Sequence, residues 1–161
     1  MLVGVISDSH DNLPALKKAV EIFNARKTGF VIHAGDFVAP FSLRPLEELA
    51  CPWIGVFGNN DGEQRGLTHH SKGRIQPPPF ELNLDGKKVV VVHELMEADR
   101  EKIIKEGAVI VIHGHSHQAE IKKSKKALLV NPGELGGWLY GKKTLALVDT
   151  DKLQAEIVNV D

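Results

Sequence analysis

The chain carries one cysteine, Cys51, among 161 residues. That scarcity excludes an internal disulfide framework and any cage of thiolates, so a metal held here must be taken by nitrogen and oxygen donors. Charge of either sign is not in surplus: 20 Lys+Arg stand against 21 Asp+Glu, and the broad positive field on which non-specific nucleic-acid binding draws is missing. Long apolar runs are missing too. No segment approaches the ~18 residues of a membrane span, and "MLVGVISDSH" meets Asp8 without the basic n-region of a signal peptide. A soluble, cytoplasmic chain is expected, with neither membrane nor nucleic acid as a partner. A homo-oligomer needs only an exposed apolar patch, but no stretch declares one. Internal repeats and low-complexity tracts are absent, and the length suits a single domain spanning 1–161.

What is present is a regular alternation. "LVGVI" reads as a strand, and "DNLPALKKAVEIFNAR" follows as a helix with Leu13, Leu16, Val20 and Phe23 on one face, capped by Asp11 or Asn12. "FVIHAGD" repeats the strand, "SLRPLEELA" reads as a second helix with Leu46, Leu49 and Ala50 inward, and "WIGVFGNND" is a third strand end. Strand and helix in alternation imply a parallel sheet. The later half changes character. "FELNLDGKKVVVVH" looks like a hairpin turning at Asp85-Gly86, and "EADREKIIKEG" like a helix closed by Gly107, with Glu101 and Lys105 paired at i,i+4. Five further strands follow, the late ones spaced for antiparallel pairing. The sum is mixed α/β, two packed sheets with helices outside, and a long Gly- and Pro-rich surface loop over 62–79.

The informative residues stand where apolar strands end: Asp8 and His10, then Asp36, then Asn59 and Asp61, then His93, then His115 and His117. Ligands of α/β sheets bind beyond the carboxyl ends of strands, so residues this far apart in sequence can converge. With Asp61 set aside, two carboxylates, an amide oxygen and four imidazoles suit Mn²⁺, Fe²⁺, Ni²⁺ or Zn²⁺ better than Mg²⁺ or Ca²⁺, which prefer all-oxygen cages. Seven ligands exceed the needs of one ion. Two ions about 3.5–4 Å apart, bridged by a carboxylate, would use them all. Gly35, Gly58 and Gly114 each precede a proposed ligand, where a residue without Cβ lets the backbone turn or approach closely. Taken singly, "DSH" reads equally as a polar turn, "AGD" and "GNND" as ordinary loops, and "GHSH" as solvated residues beside a buried strand. Their recurrence at successive strand ends is what argues for a site.

The ordered set D-x-H, G-D, G-N-x-D, a lone His after a strand and G-H-x-H resembles the calcineurin-like metallophosphoesterases, and among them the short, single-domain YfcE-type phosphodiesterases. "NPGE" from Asn131 lies where that group carries an Asn-Pro-Gly turn. The resemblance implies a four-layer αββα sandwich with two mixed sheets and a dinuclear centre between them. It assigns Asp8, His10, Asp36 and His117 to the first metal and Asp36, Asn59, His93 and His115 to the second. Asp36, Asn59 and Asp61 would then stand at the reaction centre, Asp61 hydrogen-bonding nearby polar groups rather than a metal. Manganese is the cofactor expected first, with nickel, iron or zinc suiting the same donors. The implied activity is hydrolysis of small phosphodiesters by a hydroxide bridging the two metals.

Two positions depart from the family. Glu94 follows the lone His where the family usually has Gly, and Asn60 stands where many superfamily phosphatases have a His that protonates the leaving group. Without such an acid, diesters with good leaving groups should react faster than alkyl monoesters. His113 falls outside the ligand pattern. His69 and His70, with Arg65, Lys72 and Arg74, read as solvated residues of the long loop, as "KKSKK" at 122–126 reads as a hairpin tip, while Cys51 reads as packed. The alternative function is a protein-binding scaffold of the same fold, as in a retromer subunit. A metallo-β-lactamase-type hydrolase is disfavoured because no H-x-H-x-D-H run occurs.

Overall fold

Asn12 begins the first helix as a side-chain cap, its Oδ1 accepting the Ala15 N–H at 3.1 Å, and Pro14 sits in the first turn, where no internal N–H is needed. The computed structural model describes residues 1–124 and 126–161. Chain order is β1 (Leu2–Ile6), α1 (Leu13–Ala25), β2 (Phe30–His33), a 3-10 helix (Pro40–Glu48), β3 (Trp53–Val56), α2 (Gln64–His70), β4 (Ile75–Gln76), β5 (Phe80–Leu84) and β6 (Lys87–Val91). Then come α3 (Glu97–Lys105), β7 (Ile110–Ile112), β8 (Ala119–Lys123), β9 (Leu128–Pro132), β10 (Thr144–Asp149) and β11 (Gln154–Asn159).

Two mixed sheets result, one ordered β11-β10-β1-β2-β3-β4 and the other β5-β6-β7-β9-β8. In the first, β1 to β4 run parallel, β10 pairs antiparallel with β1 and β11 antiparallel with β10; in the second, β6, β7 and β9 run parallel between antiparallel edges. Alternation along the strands sorts side chains into layers. Val3, Val5, Ile32 and Val56 of the first sheet meet Val89, Val91, Ile110 and Ile112 of the second. On the outer face of the first sheet, Ile6 and Val31 pack against Leu16, Phe23, Leu46 and Leu67. On the outer face of the second, Val90 and Val111 pack against Ile103 of α3. Three apolar seams between four layers make this the αββα sandwich that the sequence predicts. The Asp85-Gly86 hairpin forms as read, with φ of 51° and 77° that suit a two-residue turn.

Three local expectations are corrected. The segment 62–79 is not a surface loop: it holds α2 and β4, because Glu63 caps the helix by accepting the Gly66 N–H, and Leu67 and Ile75 are buried under the helical layer. The second helix is a 3-10 helix, with Pro45 removing a donor from its interior; Leu46 and half-buried Leu49 pack inward, but Ala50 is exposed rather than turned inward. On α3 the ion pair is Arg100 with Glu97, and none joins Glu101 to Lys105 among the described residues. In the 122–126 stretch, Ser124 receives the backbone N–H groups of Lys126 and Ala127, and Lys125 lies outside the described residues. Cys51 is half-buried near the Thr28 hydroxyl.

Leu67 gives the first test. Its complete burial predicts that Leu67→Ala costs ~2–4 kcal/mol in denaturant-induced unfolding. A leucine on a surface loop would cost less than ~0.5 kcal/mol, so a change that small would contradict the packing of α2.

Candidate metal centre

The polar strand ends meet where the two sheets run out side by side. Beyond β1 and β2 the chains stay zipped, with Asp8 N–H on Gly35 O at 2.9 Å and His10 N–H on Asp36 O at 3.1 Å. Gly114 N–H on His93 O, at 2.9 Å, joins the segments after β6 and β7, and His115 N–H on Asp8 Oδ2, at 3.1 Å, ties one sheet to the other.

Asp8, His10, Asp36, His115 and His117 all adopt positive φ, between 40° and 68°. For residues with a Cβ this left-handed backbone costs on the order of 1–2 kcal/mol each, and a cluster of such residues is characteristic of a functional site. Two glycines make the approach possible. A Cβ on Gly58 would stand 2.2 Å from Asp36 Oδ1, and one on Gly114 would stand 1.9 Å from Ser7 Oγ and 2.7 Å from Asp8 Oδ2.

One ligand atom each from Asp8, His10, Asp36 and His117 lies within 4.8 Å of all the others. His117 Nε2 is 3.4 Å from Asp8 Oδ1, and His10 Nε2 is 3.3 Å from Asp36 Oδ2. On the far side of Asp36, His93 Nε2 is 3.4 Å from Oδ2. Asn59 Oδ1 then lies 2.9 Å from His93 Nε2 and 3.0 Å from His115 Nδ1. The seven predicted ligands are thus brought together as two groups sharing Asp36. Asp61 stands behind them, its carboxylate receiving the backbone N–H groups of Asp36, Val38 and Gly58 at 2.7–3.0 Å.

Proton bookkeeping shows what the cluster lacks. Ala34 O can only accept, so His93 Nδ1, 2.8 Å away, carries the ring proton. A neutral His93 then turns the lone pair of Nε2 toward two further acceptors, Asp36 Oδ2 and Asn59 Oδ1. His117 repeats the conflict: Nδ1 lies 2.9 Å from Glu134 Oε2, leaving Nε2 to face Asp8 Oδ1. Asp8 Oδ1 and His10 Nε2 are buried without a hydrogen-bond partner. Lone pairs converging on a buried space need protons or cations between them. The donor set fits divalent ions of intermediate hardness.

Electrostatics agree. Burial alone would raise the Asp36 carboxyl, yet hydrogen bonds from His93 and from the Asn60 side chain and N–H, with the charge of His93, hold it below the usual carboxylate range. Burial opposes protonation of His93, but Asp36 outweighs it and raises the imidazole. Burial raises Asp8. Burial also lowers His33 to about 3, so that this ring stays neutral where it meets Ser9 Oγ at 2.9 Å and stacks on Phe37.

Several partners escaped the sequence reading. Glu134 is buried; against that burial, its contacts with His117 and with the Leu139 and Tyr140 N–H groups keep it below its ordinary value. Asn131 donates to Gly114 O and Ser116 Oγ, both at 3.0 Å, and so pins the loop bearing His115 and His117. Asn60 locks Asp36. The "NPGE" turn and the second Asn of "GNND" were the visible signals for these. His113 is half-buried beside Asn131 and outside the cluster. His69 and His70 are exposed on α2, with His70 Nδ1 against Gly66 O.

A family model described as the calcineurin-like phosphoesterase superfamily domain matches residues 1–153. A phosphodiesterase from Methanocaldococcus jannaschii is 37% identical over 157 residues, covering 94% of this chain and 95% of the relative. A solved structure described as a novel archaeal phosphodiesterase superposes with a TM-score of 0.92 at 35% identity, covering 99% of both chains. Wild-type Vps29 from Entamoeba histolytica, solved in complex with zinc, shares the fold at 17% identity and a TM-score of 0.69, covering 100% of both chains.

Proposed function

The chain belongs to the calcineurin-like phosphoesterase superfamily, and we propose that within it this protein is a phosphodiesterase working with two divalent cations. The observation that carries the reading is the set of donor atoms around Asp36: two groups face inward, and Asp8 Oδ1 and His10 Nε2 are buried among them without a hydrogen-bond partner. Asp8, His10, Asp36 and His117 would hold one cation, and Asp36, Asn59, His93 and His115 the other. Bound there, such cations supply Lewis-acid polarisation of phosphoryl oxygens and a bound water acidic enough to ionise near neutral pH. Manganese is the first choice for this donor set, with nickel, iron and zinc compatible. The cytoplasm is the proposed location, and a small phosphoester the proposed partner.

The protein's own residues do the positioning. Asp61 and Asn60 hold Asp36 in a strained backbone, Glu134 fixes the tautomer and tilt of His117, and the Ala34 carbonyl does the same for His93. Among the described residues no Lys or Arg pairs with Asp8 or Asp36, so the charge of these carboxylates is left for bound cations to balance. Hollows of about 440 Å³ beside His115 and about 470 Å³ beside His117 leave room for two organic groups on one phosphate. That room favours a diester.

Asn60 has no proton to give at neutral pH, so the departing oxygen must leave largely as an anion. Rates over diesters of graded leaving-group pKa, assayed with Mn²⁺, are therefore expected to fall by at least about tenfold from a nitrophenolate-type to a phenolate-type leaving group. A flat series overturns this account of bond cleavage. Absence of turnover with every one of Mn²⁺, Ni²⁺, Fe²⁺ and Zn²⁺ turns the reading toward a binding scaffold. Metal content alone does not separate the two readings, because Vps29 itself has been solved with zinc.

A further inference from the structure

Each inner imidazole of the cluster presents one nitrogen to the donors, and for two of them the other nitrogen is held. His93 Nδ1 rests on the Ala34 carbonyl and His117 Nδ1 on Glu134. His115 sits the other way round, with Nδ1 toward Asn59 and Nε2 outward. The group facing that outward nitrogen is the carboxylate of Glu94, with Oε1 3.6 Å from Nε2. Strand register brings the two residues together. β6 and β7 pair in parallel with Val91 opposite Ile112, and Gly114 N–H continues the ladder onto His93 O. One residue further along, Glu94 stands opposite His115.

We propose that Glu94 is a positioning residue for His115, its carboxylate facing the outward ring nitrogen and favouring the ring proton there, so that Nδ1 is free to take the second cation. The proposal rests on the two-metal reading above. A carboxylate on the far nitrogen selects the tautomer, fixes the ring plane and makes the inner nitrogen a better donor. His115 needs such a holder more than its neighbours do, because it is the most exposed imidazole of the four and sits on left-handed backbone. Unheld, its ring is free to turn its proton inward against Asn59. The rival account is a solvated ion pair without consequence, worth ~0–1 kcal/mol. That pair would leave metal affinity untouched.

The test is calorimetric titration of Mn²⁺ alone into the full chain after EDTA dialysis at pH 7.5, for wild type, E94A and E94Q. Wild type is expected to take up two equivalents. E94A should weaken one of the two binding events about tenfold and leave the other within about twofold, with E94Q between them because it keeps an acceptor but loses the charge. Long-range ¹H–¹⁵N spectra of the metal-free protein add a signature that a general loss of stability would not produce: a shift of the His115 ring proton from Nε2 toward Nδ1 in E94A relative to wild type. Unchanged affinities in E94A, or equal weakening of both events, overturns the role of Glu94. Uptake of fewer than two equivalents by wild type overturns the two-metal reading, and Glu94 falls with it. Two equivalents in wild type with an unaltered E94A profile removes Glu94 alone.

Discussion

Replacing Asp36 by Asn is expected to lower kcat/KM on an aryl phosphodiester by about a thousandfold or more, equivalent to ~4 kcal/mol, and to cut bound metal from two equivalents to one or fewer. Oδ2 of this residue lies 3.3 Å from a nitrogen of one donor group and 3.4 Å from a nitrogen of the other, so both halves of the site depend on a single oxygen. An amide there keeps the shape and halves the acceptors. It also removes the negative charge that would balance the two proposed dications, and offers N–H groups where they would need lone pairs. The fold should survive, because the N–H groups of Asp36 and Gly58 remain paired with Asp61. Steady-state kinetics, elemental analysis and a thermal melt on one preparation decide the matter. A variant that melts normally, holds two equivalents and retains a tenth of the activity would end the claim that Asp36 bridges.

The residues of the cluster were legible because most of them stand just after an apolar strand. Strand ends are the one place where local pattern and three-dimensional location coincide. Asp8, Asp36, Asn59, His93 and His115 could be found by marking where β-branched runs stop. Their supports were visible as residues, in "NPGE" and "GNND", but not as partners. Glu134 reaches His117 across 17 residues of chain, and Asn131 reaches Gly114 across the same interval, a pairing that depends on β9 lying beside β7. Nothing in the composition of "NPGE" announces that neighbour. His33 ends β2, and only the fold shows it sealed against Phe37 and bonded to Ser9. The segment 62–79 misled for the opposite reason. Its glycines and prolines dominate the composition, while its order comes from two apolar anchors, Leu67 and Ile75, too few to make a period. Glu94 was visible as an oddity in "HEL", but its direction follows from strand register, which no single segment encodes.

Saturating Mn²⁺ is expected to raise the melting temperature of the EDTA-treated protein by roughly 10 °C. A ligand at ~1,000 times its dissociation constant adds about 4 kcal/mol, and a chain of this size gains ~2–4 °C per kcal/mol. The source is the arrangement around Asp36 rather than new packing. Without a cation, buried Asp8 Oδ1 and His10 Nε2 have no partner, and lone pairs of His93 and His117 point at carboxylate oxygens. Protons are the only relief available, which is why His93 is raised above its ordinary value. Metal and proton therefore compete for the same nitrogens. Below the raised value of His93 the imidazole is occupied by a proton and the cation must displace it; above that value the lone pair is free. The sign follows directly: the gain from Mn²⁺ should be largest near pH 8 and shrink steadily toward pH 5.5, while the metal-free protein shows no matching rise with pH. Differential scanning fluorimetry with and without Mn²⁺ across that range measures the difference. A gain that is constant with pH, or one that persists undiminished in the His117→Ala and His93→Ala variants, would place the stabilising ion somewhere other than among these side chains.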